Sequence, residues 1–192
     1  MTNFRTVSLA AVSLACGLAA LPAHAAFTGP FDAADWSTTT TGAGNGTAVV
    51  APDGSTLTLV SSDASAAAAL GASTTSFSIT LARDTTLSFD WDYNTADDNG
   101  SMYDPFGYSL GGTSVKLTDD DAWIFEEGGH VSLAGHAGQV FTFWTSSLDS
   151  VFGASTTVVS NFDAVQAVPE PSSVALMLAG LVAVGGVARR RR

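Results

Sequence analysis

The sequence is poor in cysteine, in basic residues and in helical patterning, and each shortage removes a class of function. Its one cysteine, Cys16, lies in an apolar N-terminal stretch, so the part that follows carries no thiol. Disulfide stapling and thiol nucleophiles are therefore excluded from that part. Lys and Arg total 7 against 18 Asp and Glu, a formal net charge of −11. Phosphate recognition needs a basic field, so this balance opposes nucleic-acid binding. Four of the bases are the terminal Arg189, Arg190, Arg191 and Arg192; between residues 26 and 168 only Arg83 and Lys116 remain against 17 acids, a local net of −15. Such a field repels polyanions, attracts divalent cations and keeps copies apart in solution. The sequence also lacks a Gly-x-Ser-x-Gly elbow, a phosphate loop and a His-Glu-x-x-His helix. Catalysis has no motif to stand on, and a secreted hydrolase with paired carboxylates is the weakest functional class the sequence allows.

What is present begins with the two ends. Arg5 precedes an almost wholly apolar run from Val7 to Leu21, Pro22 breaks it, and Ala23-His24-Ala25 fits signal-peptidase cleavage after Ala25. As a helix the run reaches only about 22 Å, short of the roughly 30 Å hydrocarbon core, so residues 1–25 read as a signal peptide and not as an anchor. Cys16 is not an acylated first residue, because Ser13-Leu14-Ala15 lacks the leucine expected three places upstream. At the other end the 17 residues from Ser172 to Ala188 carry no charge and are followed by the four arginines. That pattern predicts a transmembrane helix over 172–188 with a cytoplasmic basic stop over 189–192.

Just before this helix, Val168-Pro169-Glu170-Pro171-Ser172 places two prolines around one glutamate. Proline fixes φ and restricts the residue before it, so this stretch stays extended and accessible. The order VPEPSS, apolar helix and terminal arginine cluster resembles the PEP-CTERM sorting signal of Gram-negative bacteria. The resemblance implies recognition of Pro169, Glu170 and Pro171 by an exosortase, a membrane enzyme with a cysteine nucleophile. It also implies an inner-membrane intermediate, then display on the cell surface or in the exopolysaccharide matrix. The tail is an address found on unrelated domains, so it does not say what the domain before it does.

Residues 26–167 form one domain by length. Their apolar pattern has a period of two: Leu87, Phe89, Trp91 and Tyr93 alternate with Ser88, Asp90, Asp92 and Asn94. One face can enter a core while the other meets water. Phe77, Ile79 and Leu81 repeat the pattern, as do Leu57 with Leu59, Val115 with Leu117, and Phe141 with Phe143. Turn signals at Pro52-Asp53-Gly54, Asp97-Asp98-Asn99-Gly100, Gly111-Gly112, Glu127-Gly128-Gly129 and Ala137-Gly138 separate the runs, and only Ala64 to Leu70 offers helical spacing. Ser and Thr make up 38 of the 143 residues from 26 to 168, which suits the exposed faces of antiparallel strands. The expectation is an all-β, jelly-roll-like antiparallel sandwich, with an immunoglobulin-like strand order as the rival. Residues 87–110 and 137–162 resemble the β-sandwich domain found ahead of such sorting tails, which supports fold and export without implying an activity.

Three groups of residues are candidate sites. Asp90, Asp92, Asn94, Asp97, Asp98 and Asn99 put carboxylates on one strand face and oxygens in the next turn, a pattern open to calcium. It is not a helix-loop-helix calcium loop, since the sixth and twelfth positions from Asp90 are Thr95 and Ser101. No cofactor is required, and calcium is the one that these residues suit. Tyr103, Tyr108 and Trp123, with Trp36 and Trp144, are flat rings for a sugar face, while Tyr103 and Trp144 also suit the core. Asp119-Asp120-Asp121 with Glu126 and Glu127 reads as hydrated acid, and His130 and His136 as surface histidines. The leading expectation is a non-enzymatic surface or matrix protein; the alternative is a carbohydrate-binding or calcium-dependent binding module.

Overall fold

The structure is a computed structural model of the chain, and it describes residues 27–42, 44–64, 71–119 and 123–167. The expected signal peptide over 1–25, the expected sorting signal and helix over 168–192, Ala43, residues 65–70 and residues 120–122 lie outside the described residues. Two 3-10 turns, Gly29–Phe31 and Ala33–Asp35, lead into ten strands. These are β1 (Ser37–Thr41), β2 (Thr47–Val50), β3 (Thr56–Val60), β4 (Ser73–Thr80), β5 (Thr85–Thr95), β6 (Phe106–Leu110), β7 (Thr113–Lys116), β8 (Glu126–Gly135), β9 (Val140–Ser147) and β10 (Ser155–Gln166). They make two five-stranded sheets, ordered β1-β4-β9-β6-β7 and β2-β3-β10-β5-β8. Every pairing is antiparallel.

Without the edge strands β1 and β2, the order β3-β10-β5-β8 is set beside β4-β9-β6-β7. Successive strands change sheet except at the β6–β7 hairpin, which is the eight-stranded jelly roll. The immunoglobulin order is thereby set aside. Alternation decides which residues enter: along β5, Leu87, Phe89, Trp91 and Tyr93 are buried, while Thr86, Asp92 and Asn94 face out. Removing each large apolar side chain from water contributes roughly 1.5–3 kcal/mol, against the entropy of ordering the strands. In β10 the register shifts between Ser160 and Asp163. Asn161 adopts φ 49° there, and the inward positions change from Ser155, Thr157 and Val159 to Phe162. The bulge keeps Asn161 outside and lets Phe162 enter, because one extra residue reverses strand parity.

The interior is divided along its length. At the end where the chain enters and leaves, it is aromatic: Phe27 stacks on Phe162 at 4.7 Å between centroids, and Trp36 stacks on Phe77 at 4.7 Å. Phe143 packs edge-on against Phe89 at 4.9 Å and Phe141 at 4.8 Å. Towards the other end the inward positions become Ser61, Ser73, Thr75, Thr95, Thr145, Ser147, Ser155 and Thr157, all buried. Two expectations need correction. Trp36 is no surface ring, because its Nε1 donates to the Phe31 carbonyl at 3.1 Å and the indole fills the core. Val115 stays 37% exposed, because β7 is an edge strand beyond the reach of the facing sheet.

Candidate functional site

The outer face of the sheet β1-β4-β9-β6-β7 is a field of hydroxyl groups around one indole. Inward Phe141 and Phe143 force Thr142, Trp144 and Ser146 of β9 outward. Trp144 stands opposite Ser76 of β4 on one side and Gly107 of β6 on the other. Gly107 is required there, because a Cβ would collide with the Val115 carbonyl and lie 2.5 Å from Trp144 Cζ2. The indole thus rests over bare backbone. Ser76, Ser109, Ser114 and Thr142 share with Trp144 an open groove of about 410 Å³ whose lining carries no charged residue. Hydroxyl pairs stiffen its floor: Thr74 with Ser146 at 2.8 Å and Ser78 with Thr142 at 2.9 Å. A half-buried ring on a rigid sheet, ringed by groups that both donate and accept, suits a flat ligand with an apolar face and a hydroxyl rim.

The other rings are scattered. Trp123 is 75% exposed and Tyr103 is half-buried. Tyr108 packs against the core, edge-on to Phe89 at 6.1 Å. These three do not form one platform with Trp144.

The acids expected to hold calcium part company. Asp90 lies on the outer face of the second sheet, where its Oδ1 meets His130 Nδ1 at 2.6 Å and its Oδ2 accepts from Asn161 Nδ2 at 2.7 Å. Those two partners hold its carboxyl below the ordinary 3.8, the Asn161 hydrogen bond first. Asp92 and Asn94 line a shallow groove with Glu126 and Glu127, while Asp98 is exposed in the turn. Asp97 points the other way, into the interior, and is fully buried. Strand parity keeps Asp90, Asp92 and Asn94 together on the outer face; Asp97 lies past the end of β5, where parity no longer governs. Among the described residues no three His, Cys, Asp or Glu side chains converge as a metal site. Asp119 N–H donates to Glu127 Oε2 at 2.9 Å, and His136 Nδ1 stands 3.6 Å from Asp84 on the exposed surface.

Inside the hydroxyl-lined end, Asp97 shares the Thr95 hydroxyl with Asp104, which is also fully buried and which the spacing of acids does not single out as a ligand. Asp97 N–H donates to Thr95 Oγ1 at 3.0 Å, and Thr95 Oγ1 donates to Asp104 Oδ2 at 3.4 Å. Tyr93 Oη donates to the Asp104 carbonyl at 2.9 Å. Burial pushes the Asp104 carboxyl up to about 7, with the Ser147 hydroxyl pulling the other way and the Asp97 charge adding to the rise. Burial likewise raises Asp97, offset in part by the Asn99 backbone.

The described part of the protein is a jelly-roll β-sandwich domain. Residues 167–192 match the PEP-CTERM protein-sorting motif, so this domain precedes the tail of an exosortase substrate. No curated protein matches the chain. Among solved structures it is similar to TmCBM61 in complex with beta-1,4-galactotriose, at 10% identity and a TM-score of 0.38, over 74% of this chain and 95% of that one. It is also similar to a carbohydrate-binding module of the β-sandwich superfamily, at 11% identity and TM-score 0.43, over 76% of this chain and 62% of that one. A third is the N-terminal cellulose-binding domain of the Cellulomonas fimi beta-1,4-glucanase C, at 11% identity and TM-score 0.32, over 73% and 92%. At TM-scores this low no ligand carries over from them. Among the described residues no helix is long and apolar enough to cross a membrane; the expected span over 172–188 lies outside them.

Proposed function

We propose that this is a non-enzymatic surface or matrix domain, exported through signal-peptidase cleavage and sorted by an exosortase, which binds uncharged polysaccharide on the outer face around Trp144. The observation that carries the binding reading is the seating of Trp144 over Gly107 within a groove lined by hydroxyls and free of charge. A pyranose offers an apolar C–H face to such a ring and equatorial hydroxyls to the serines and threonines beside it. The acidic surface disfavours anionic polymers at low salt, which leaves neutral chains as the fitting class. Position supports the reading too. Phe27 N–H donates to the Gly54 carbonyl at 2.8 Å, and Ala167 N–H donates to Asp84 O at 2.7 Å, so the first and last described residues of the domain lie at the aromatic end. A tail held at the membrane then leaves the Trp144 face lateral and open.

The test is affinity electrophoresis of the full chain in mild detergent through neutral β-glucan and galactan, with alginate as the anionic comparison. Retardation by a neutral polymer is expected, and Trp144→Ala should weaken it at least about tenfold, about 1.4 kcal/mol. Trp123→Ala should leave it unchanged. Equal binding by wild type and Trp144→Ala would remove the groove from the account.

A further inference from the structure

We propose that the hydroxyl-lined end of the sandwich interior binds one calcium-sized divalent cation between the carboxylates of Asp97 and Asp104. Both side chains are fully buried, and each keeps one oxygen without any hydrogen-bond partner: Asp97 Oδ2 and Asp104 Oδ1. Buried polar atoms are almost always paired, and an uncompensated buried carboxylate is more expensive than a neutral orphan. Two of them beside the same Thr95 hydroxyl call for a counter-charge. The neighbouring charges that act on Asp104 are Asp97 and Asp149, both negative. A cation would supply the positive charge that the described residues around Asp104 do not.

The surroundings select the kind of cation. The Thr95 hydroxyl accepts from the Asp97 backbone N–H and donates to the Asp104 carboxylate, and the hydroxyls of Ser61 and Ser147 sit beside the Asp104 carboxyl. All are hard oxygen donors, with neither thiol nor imidazole among them, which favours calcium over zinc or copper. Because the described residues contain no convergent trio of acidic or histidine ligands, the set is two carboxylates completed by neutral oxygens. Calcium accepts such an irregular shell of about six to eight oxygens, whereas magnesium demands a near-ideal octahedron. Strands β5 and β6 and the segment between them then become one unit fastened from inside. Asp97 and Asp104 lie in the segment from β5 to β6, and Ser61 and Ser147 at the ends of β3 and β9. The site is independent of the Trp144 groove, so either can fail while the other stands.

The experiment is thermal unfolding of the full chain in mild detergent, first stripped with EDTA and then titrated with calcium chloride. With calcium at about a hundred times its dissociation constant, the midpoint should rise by roughly 6–10 °C. Calorimetry should give one site per chain, and magnesium at the same concentration should do little. Asp104→Asn and Asp97→Asn should each abolish the response, while Asp92→Asn on the outer face should keep it. Terbium provides a second measurement on the unmutated protein: Tyr93, bonded to Asp104, should sensitise its emission, calcium should quench it by displacement, and Tyr93→Phe should dim it. The proposal is overturned by a wild-type midpoint indifferent to calcium. It is equally overturned by a calcium response that survives in both Asn variants or is lost in Asp92→Asn. If the Asn variants do not fold, absence of displaceable terbium emission from the wild type overturns it.

Discussion

Phe27 gives the sharpest test of how the core is closed. Cleavage after Ala25 would leave it as the second residue of the mature chain, and the first residues of a domain usually fray. Here the ring is 2% exposed. It stacks on Phe162 with planes 8° apart and meets the edges of Trp36 at 5.6 Å, Phe77 at 6.3 Å and Phe143 at 6.4 Å. Truncating a buried phenylalanine costs about 3–5 kcal/mol, and aromatic pairs are worth about 0.5–1.5 kcal/mol beyond their area. The two figures overlap, and a free chain end can settle into the gap, so Phe27→Ala should cost about 3 kcal/mol. With a urea m-value of about 2 kcal/mol/M, the unfolding midpoint should fall by about 1.5 M at unchanged m. The assay is urea unfolding of the exported chain followed by tryptophan fluorescence, with Val49→Ala, at a site 59% exposed, as a control. Val49→Ala should change stability by less than about 0.5 kcal/mol. A Phe27→Ala midpoint within about 0.3 M of wild type would refute the docking of the N-terminal segment and the closed aromatic end with it.

Four further outcomes follow from named contacts. Phe89→Asp should prevent folding, whereas Asp90→Ala, one residue along on the outer face, should leave a folded domain; circular dichroism and urea titration distinguish them, and comparable losses would mean that the faces of β5 are misassigned. Gly107→Ala places a methyl group against the Val115 carbonyl and the Trp144 ring. It should cost about 1–3 kcal/mol and weaken polysaccharide retention, so undiminished retention would show that the seat of the ring is irrelevant. Asp90 should titrate below its ordinary 3.8 by carboxyl NMR, and Asn161→Ala should move it back up. Because its folded value is the lower one, its contribution to stability is present above 3.8 and is lost as pH falls through the folded value; a midpoint unmoved by Asn161→Ala would contradict the assigned bond. Mass spectrometry of protein from fractionated native cells should show a chain that begins at Ala26 and lacks Arg189 to Arg192, and an intact arginine tail on the outer surface would contradict exosortase transfer.

The sequence by itself determined where the protein is addressed and how its strands alternate. Pro169-Glu170-Pro171, an apolar run and four arginines are contiguous, so linear order carries the sorting signal, and the family match over residues 167–192 agrees. The inward set Leu57, Leu59, Phe77, Ile79, Leu87, Phe89, Trp91, Tyr93, Phe141 and Phe143 was legible for a similar reason, since a strand's period of two is a local property. Only the tertiary structure decided the rest. By spacing Asp97 belongs with its sequence neighbours Asp90 and Asp92, yet it is fully buried, because a chain leaving a strand is no longer bound by the alternation that holds Asp90 outside. Trp36 and Trp144 look alike as isolated residues, but the one enters beside Phe77 and the other is left on the opposite face of the same sheet above Gly107. The signal that would have marked Trp144 is the glycine facing it on β6, and that pairing joins residues 37 apart in sequence. Register between distant strands comes from packing two sheets together, and no local spacing encodes it.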